Sequence, residues 1–467
     1  MKINGLFVLA ASLGLGLSTA TFAQSSKILT KQYETGEVYN GTFKDGRQHG
    51  QGTYVLPNGY EYSGEWVEGQ IQGEGTARFP NGSFYEGQFQ AGKPEGLGKI
   101  TFADGGTYIG TWKNGIIEGV GLARYPNGEV YDGQFKAANH HGTGVLISES
   151  GYRYEGGWVE GKKTGKAQIT YPDGAAYKGD VVNGQRHGKG DVILSDGSTF
   201  DGDWQQGQIT GAGTLVLANG DSYTGAMLKG EKNGQGKLTF ANGNTYIGGF
   251  SKGQRDGSGV LLRIDGYKFS GHWVAGRLQG EGQITYPNEA HYIGMVKDDL
   301  PNGKGKITYS DGGSYDGDWV NGVIQGVGLA TYANGTIYEG AFDKARNHGQ
   351  GKIVYQEGFS YTGTWIRGIR EGKGIATFTD GSIYDGDFKA GKRHGVGTHS
   401  TNDGFVYEGA WANGEIHGIG HAKYANNDDY VGTFTHGIRE GQGTMTFANG
   451  DIYDGVWENG EAAPVAE

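Results

Sequence analysis

Cysteine is absent from this chain of 467 residues, which removes disulfides, thiolate nucleophiles and cysteine-ligated zinc or iron–sulfur sites from consideration. Proline is scarce at 8 residues, so the abundant glycine belongs neither to a collagen-like helix nor to a proline-rich linker. Positive charge is in deficit: 40 Lys and Arg stand against 51 Asp and Glu, a formal net charge of −11. Such a surface repels nucleic-acid phosphates and, more weakly, anionic lipid headgroups. Leu, Ile and Val are too sparse for several conventional cores, which argues against an ordinary multi-domain enzyme.

Glycine and aromatic residues take their place. Glycine supplies 94 of 467 residues, against a typical usage of ~7%. Tyr 29, Phe 19 and Trp 9 argue against disorder, which is poor in aromatics. The apolar surface must therefore be buried as rings packed on a glycine-rich backbone.

Residues 1–23 have the three parts of a secretory signal peptide: Lys2 after Met1, an apolar stretch from Leu6 to about Leu17, and small residues ending at Thr21-Phe22-Ala23. Cleavage is expected after Ala23, giving a periplasmic or secreted product. The alternative, a retained anchor, has an apolar run shorter than the roughly 20 residues a spanning helix needs. With no cysteine after the cleavage point, a lipoprotein anchor is excluded.

From Tyr39 a 23-residue pattern recurs without insertion or deletion through Tyr62, Tyr85 and Tyr108 to Tyr453: 18 complete units and the opening of a nineteenth. The unit from Tyr62 reads YSGEWVEGQIQGEGTARFPNGSF. With its tyrosine as position 1, glycines fall at positions 3, 8, 12, 14 and 21 and aromatics at 5 and 18; these five positions hold 86 of the 94 glycines. The period-two spacing of 1, 3, 5 and of 12, 14, 16, 18 predicts two strands per unit, each with one glycine-and-aromatic face. Tyr62, Gly64 and Trp66 are predicted on one face, with Ser63, Glu65 and Val67 on the other. A turn is expected around Gly69 to Gly73 and another at Pro80-Asn81-Gly82. Glycines 8 and 21 are expected to supply positive φ in these turns, and glycines 3, 12 and 14 a floor for the rings.

The expected fold is all-β: consecutive β-hairpins in an elongated, twisted, single-layer antiparallel sheet. At ~4.8 Å per strand, about 38 strands give a contour of roughly 180 Å. Residues 24–38 fit a capping half-unit with a strand near Lys27 to Glu34, and the last strand is expected near Tyr453 to Trp457, before a tail at 461–467.

The openings Tyr154-Glu155-Gly156-Gly157-Trp158 and Tyr407-Glu408-Gly409-Ala410-Trp411, in register along residues 39–460, resemble the MORN (membrane occupation and recognition nexus) repeat, here in a chain of exported bacterial type. The resemblance implies the same elongated hairpin array. It also implies a role as scaffold, dimerisation device or lipid binder, since MORN arrays accompany lipid kinases, junctophilins and a histone methyltransferase or stand alone.

A second order lies within the repeats. All nine tryptophans occupy position 5: Trp66, Trp112, Trp158, Trp204, Trp273, Trp319, Trp365, Trp411 and Trp457. Position 8 loses glycine at Ala138 and Ala345, 207 residues apart, within the matching contexts KAANHHG and DKARNHG; Pro94 and Pro301 are also 207 apart. This reads as a duplicated nine-unit block, 39–245 and 246–460.

No unique chemistry stands out. Paired carboxylates such as Asp201 and Asp203 recur at repeat spacing, as a solvated face would and a glycosidase pair would not. Six histidines sit at position 11, namely His49, His141, His187, His348, His394 and His417, too spread to converge on one metal. Gly-x-Gly strings open no helix and carry no dinucleotide signal. The chain is expected to be a non-enzymatic exported scaffold without cofactor or metal, binding a protein or itself through its C-terminal repeats; the alternative is a lipid or envelope glycan. The candidate contact surface is the nine tryptophans with His140, His141, Arg346 and His348.

Overall fold

The computed structural model describes residues 27–464, and the expected signal peptide lies outside them. Two compact units divide the chain, Met1–Ser195 and Asp196–Glu467. In the first, β1 (Leu29–Gln32) through β15 (Gln185–Ile193) form an open antiparallel meander in which each strand pairs with the next. In the second, β16 (Thr199–Gln205) through β39 (Glu461–Ala462) do the same. Among the described residues there are 39 strands and no helix.

One repeat shows why the sequence folds this way. β4 (Glu61–Val67) alternates exposed and buried residues, with Tyr62, Gly64 and Trp66 inward. Glu68 and Gly69, with φ of 51° and 87°, turn the chain directly into β5 (Gln70–Arg78). Two consecutive left-handed residues are the signature of a type I′ hairpin turn, whose twist matches the strands it joins. The link to the next repeat runs from Phe79 to Ser83: the Phe79 N–H donates to the Ser83 carbonyl at 2.8 Å and the Ser83 N–H to Asn81 Oδ1 at 3.0 Å. Gly82, with φ of 91°, makes the left-handed step.

The first hairpin turn is thus tighter than the expected Gly69 to Gly73, and Gly73 lies inside β5. β4 and β5 differ in length, 7 against 9 residues. Between the pairs Gly64↔Gly75 and Trp66↔Ile71 the ladder shifts register, so β5 carries extra residues there. This is a β-bulge, and Gly73 takes φ of 76° within it. Position 12 is therefore a bulge glycine and not floor for a ring, which corrects the expectation. The bulge frees backbone donors that the facing carboxylate at position 4 takes up: Val327 N–H donates to Asp318 Oδ2 at 2.9 Å and Val396 N–H to Asp387 Oδ2 at 3.0 Å.

Glycines 3 and 14 are the floor. The Tyr62 phenol lies across Gly64 of its own strand and Gly75 of the partner, where a Cβ on Gly75 would fall 2.5 Å from the ring. The Tyr62 hydroxyl donates to the Glu65 carbonyl at 3.0 Å. At the C-terminus the chain adds one short strand beyond the expected last one: β39 pairs Ala462 with Trp457 and Glu461 with Glu458 of β38 (Ile452–Glu458).

Candidate interaction faces

The inner face is a ladder of rings. Where position 5 is aromatic, the tyrosine of its own repeat and that of the preceding one meet it edge-on: Tyr85 lies 5.1 Å from Phe89 at 85° and 5.2 Å from Trp112 at 84°. Edge-to-face contact sets the positive rim of one ring on the negative face of another. The indoles also donate across the sheet to the position-14 glycine of the preceding repeat, Trp319 Nε1 to the Gly305 carbonyl at 2.9 Å and Trp411 Nε1 to Gly397 at 3.0 Å. Burial raises the tyrosine hydroxyls, that of Tyr85 to about 12, so they remain neutral donors.

This places the nine tryptophans. Trp66, Trp112, Trp158, Trp204, Trp273, Trp319, Trp365, Trp411 and Trp457 are 0 to 8% exposed. Their rings pack within the ladder and serve the fold first, with Trp112 and Trp319 keeping the largest residual exposure at 8 and 5%.

Position 10, which the sequence reading absorbed into a turn, lies in β-structure and covers the ladder. Ile71 and Leu278 cover it with aliphatic chains, while Arg255, Arg393 and Arg439 lay a guanidinium over the next tryptophan at 4.4, 4.2 and 4.2 Å. Desolvation there pulls Arg255 and Arg393 below the usual guanidinium value. The missed signal was the alternation of basic, aliphatic and proline residues two positions before the bulge glycine.

His140 and His141 are neighbours in β11 (Asn139–Ile147), where successive side chains point to opposite faces. His140, at position 10, stacks on Tyr131 with centroids 3.6 Å apart, and its Nε2 is 2.7 Å from the Tyr125 hydroxyl. Burial lowers it to about 4, with Glu129 opposing the shift and Lys163 adding to it. His141, at position 11, buries its Nδ1 without a hydrogen-bond partner, as do His49 and His348. Arg346 is exposed at the start of β29 (Arg346–Val354). The candidate residues thus divide between the two faces of the sheet and form no single constellation. Among the described residues no three His, Asp or Glu side chains gather to hold a metal ion.

The opposite face is solvated and mixed: exposed aliphatic side chains such as Leu97, Val120, Val396 and Ile419 stand among charged and polar ones. Lys166–Asp180, Lys304–Asp318 and Lys373–Asp387 pair at 2.8, 2.7 and 2.8 Å across neighbouring strands. The lysine ammonium beside Asp318 and Asp387 holds those carboxyls below the usual carboxylate range. Exposed pairs of this kind stabilise little. Asp203 likewise serves the bulge, accepting the Ala212 N–H at 3.1 Å.

Consecutive like β-hairpins, each strand paired with its neighbours in sequence, make a repeat protein of the solenoid class. The chain belongs to the MORN repeat family, which matches it over seventeen segments running from 39–59 and 62–84 to 407–429 and 430–452. The repeat from Tyr338 falls between the matched segments 315–337 and 361–383 and has the same hairpin geometry. MORN arrays are generally non-enzymatic repeat scaffolds that commonly bind proteins or membranes. No curated protein matches the chain in sequence. Among solved structures, it overlaps the TCP10c domain of Drosophila melanogaster Sas-4 with 13% identity, covering 48% of this chain and 100% of that one, TM-score 0.16. The TCP10 domain of Danio rerio CPAP overlaps with 10% identity over 67% of this chain and 99% of that one, TM-score 0.11. A streptogramin B lyase overlaps with 13% identity over 65% and 94%, TM-score 0.11. Overlaps of that quality imply no shared role.

Proposed function

We propose that this chain is an exported, non-enzymatic scaffold whose repeats hold a protein partner, either another protein or a second copy of itself. The observation that carries the reading is uniformity: the same hairpin, with a tyrosine or phenylalanine opening the first strand of each repeat, recurs along the chain. Catalysis needs one preorganised constellation. A repeated surface suits recognition of an extended or repeated partner. The segment 1–23 supports export, with the mature chain beginning after Ala23 in the periplasm or beyond it.

The rival chemistry within the family is membrane binding. A net charge of −11 opposes anionic headgroups. The deciding experiment is flotation of the mature chain with phosphatidylglycerol-containing vesicles, alongside crosslinking in the intact envelope. The scaffold reading expects the chain to stay in the protein fractions and to crosslink to a reproducible protein or to itself. Flotation with the vesicles and no protein crosslink would overturn it.

A further inference from the structure

The arginines at position 10 define a seat. Arg393 lies 4.2 Å from the Trp411 ring, 5.8 Å from Phe378 and 5.7 Å from Tyr384, and donates Nη2–H to the Gly414 turn carbonyl at 2.9 Å. Arg439 repeats this on Trp457, Tyr424 and Tyr430, donating to Gly460 at 2.6 Å. Arg255 does so on Trp273 and Gly276 at 4.4 and 2.5 Å. Each seat offers negative ring faces to a cation and a carbonyl to its donor.

Before Trp112 and Trp319, position 10 is Pro94 and Pro301. Proline has neither charge nor donor, and its ring is too short to cross the next indole. A cleft of about 700 Å³ opens there over Phe79, Tyr85, Trp112 and Gly115, the same four register positions that hold the guanidinium of Arg393. A second cleft of about 370 Å³ opens over Tyr286, Trp319 and Gly322, and every residue lining it stands 207 positions after one lining the first. A cleft of about 350 Å³ also opens one repeat before the first, over Phe89 and Gly92, but there Ile71 stands at position 10 and no indole lines it. Trp112 and Trp319 are the most exposed of the nine tryptophans, at 8 and 5%, the rest being at 4% or less. Each cleft lies within one of the two compact units.

We infer that each cleft is a vacated guanidinium seat that takes an arginine side chain from a basic segment of a partner protein. The guanidinium stacks on Trp112 or Trp319 and donates to the carbonyl of Gly115 or Gly322, while the methylene stem packs on Ile117 or Ile324. The chain's own arginines show the chemistry, and a net charge of −11 favours a basic partner. Arginine suits the seat better than lysine because its flat cation stacks and donates in one plane. The inference rests on the scaffold reading and names the partner's contact chemistry.

The test is calorimetric titration of the full mature chain with a tetra-arginine peptide at physiological salt, beside tetra-citrulline, its uncharged near-isostere, and tetra-lysine. Two sites per chain are expected for the arginine peptide, with affinity for tetra-citrulline at least tenfold weaker and for tetra-lysine also weaker. Pro94→Arg fills one seat from within and should leave one site; Pro94→Arg with Pro301→Arg should leave none. Gln51→Arg with Gln283→Arg adds the same charge on the exposed face and should keep both. In wild type labelled with 5-fluorotryptophan, only the Trp112 and Trp319 signals should shift with peptide, a readout that needs no variant to fold. Undiminished binding by the double proline variant, equal affinity for tetra-citrulline, or shifts at other tryptophans would overturn the seat. A partner crosslinked alike by wild type and the double proline variant would overturn the seat and leave the scaffold standing. Peptide binding at the two seats with no protein crosslink in the envelope would do the reverse.

Discussion

Tyr315 lies over Gly317, two residues along the same strand, with its hydroxyl donating to the Asp318 carbonyl at 3.0 Å. A Cβ on Gly317 would fall 2.5 Å from both the Tyr315 hydroxyl and the Gly328 Cα. The contact has backbone on one side and a fully buried ring on the other, so neither can yield cheaply. This relationship, repeated along the chain, makes a single-layer sheet able to bury rings.

Gly317→Val should therefore displace the Tyr315 ring and destabilise its hairpin by about 1 to 3 kcal/mol, as overpacking does. Long repeat arrays depart from two-state unfolding, so the change is read locally, by hydrogen exchange in β26 (Ser314–Val320) and β27 (Val323–Thr331). Protection unchanged from wild type would contradict the ring-on-glycine packing.

Ala138 and Ala345 hold left-handed turn positions, with φ of 62° and 59°, where most repeats have glycine. Replacing either with glycine relieves a strained backbone and outweighs the extra freedom glycine gains when unfolded. Ala138→Gly and Ala345→Gly should each raise local stability by about 0.5 to 1 kcal/mol. Hydrogen exchange in the hairpin that each residue turns checks the sign, and a loss of protection in both would count against strain at this turn.

His140 titrates low because burial between Tyr131 and Trp158 disfavours its charged form. Its folded value of about 4 lies below the ordinary 6.5 of the unfolded chain. The unfolded chain thus binds more protons between those values. Stability from this residue is fully present above about 6.5 and declines as the pH falls toward 4. Proton NMR of the His140 ring should give its midpoint near 4, and His140→Asn should flatten the pH dependence of the β10–β11 hairpin (Val130–Lys136, Asn139–Ile147) in that window. A midpoint near 6.5 would show the ring to be solvated.

The Val456 carbonyl accepts the Ala463 N–H at 2.8 Å, so this residue turns its backbone toward the outer edge of β38. The tail covers that edge only beyond Val456, since the Tyr453 hydroxyl to Ala463 carbonyl contact at 3.1 Å is made by a side chain. Unpaired edges invite a second strand. Self-association through the C-terminal repeats predicts a dimer in sedimentation at tens of micromolar, and Val456→Pro, which removes an outward donor, should shift it to monomer. Wild type sedimenting as a monomer would rule out the dimer; a dimer indifferent to Val456→Pro would rule out this edge.

Much of the fold was legible because a 23-residue register imposes its own bookkeeping. Alternation at Tyr62, Gly64 and Trp66 determined which face is inner, glycines 8 and 21 marked the turns, and glycines 3 and 14 could only be floor. Position 12 was misread because glycine serves two ends, absence of a side chain and access to positive φ. Only the pairing of a 7-residue strand with a 9-residue one decides between them. Position 10 was unreadable for a related reason: Arg393, Ile117 and Pro94 are one position in the register, yet one fills the space over an indole and another leaves it open. The sequence by itself determined repeat, strand faces and turns, since these depend on residues near one another in the chain. The bulge, the burial of the tryptophans and the two open seats were decided by tertiary structure, because each depends on how far a side chain reaches into the neighbouring repeat.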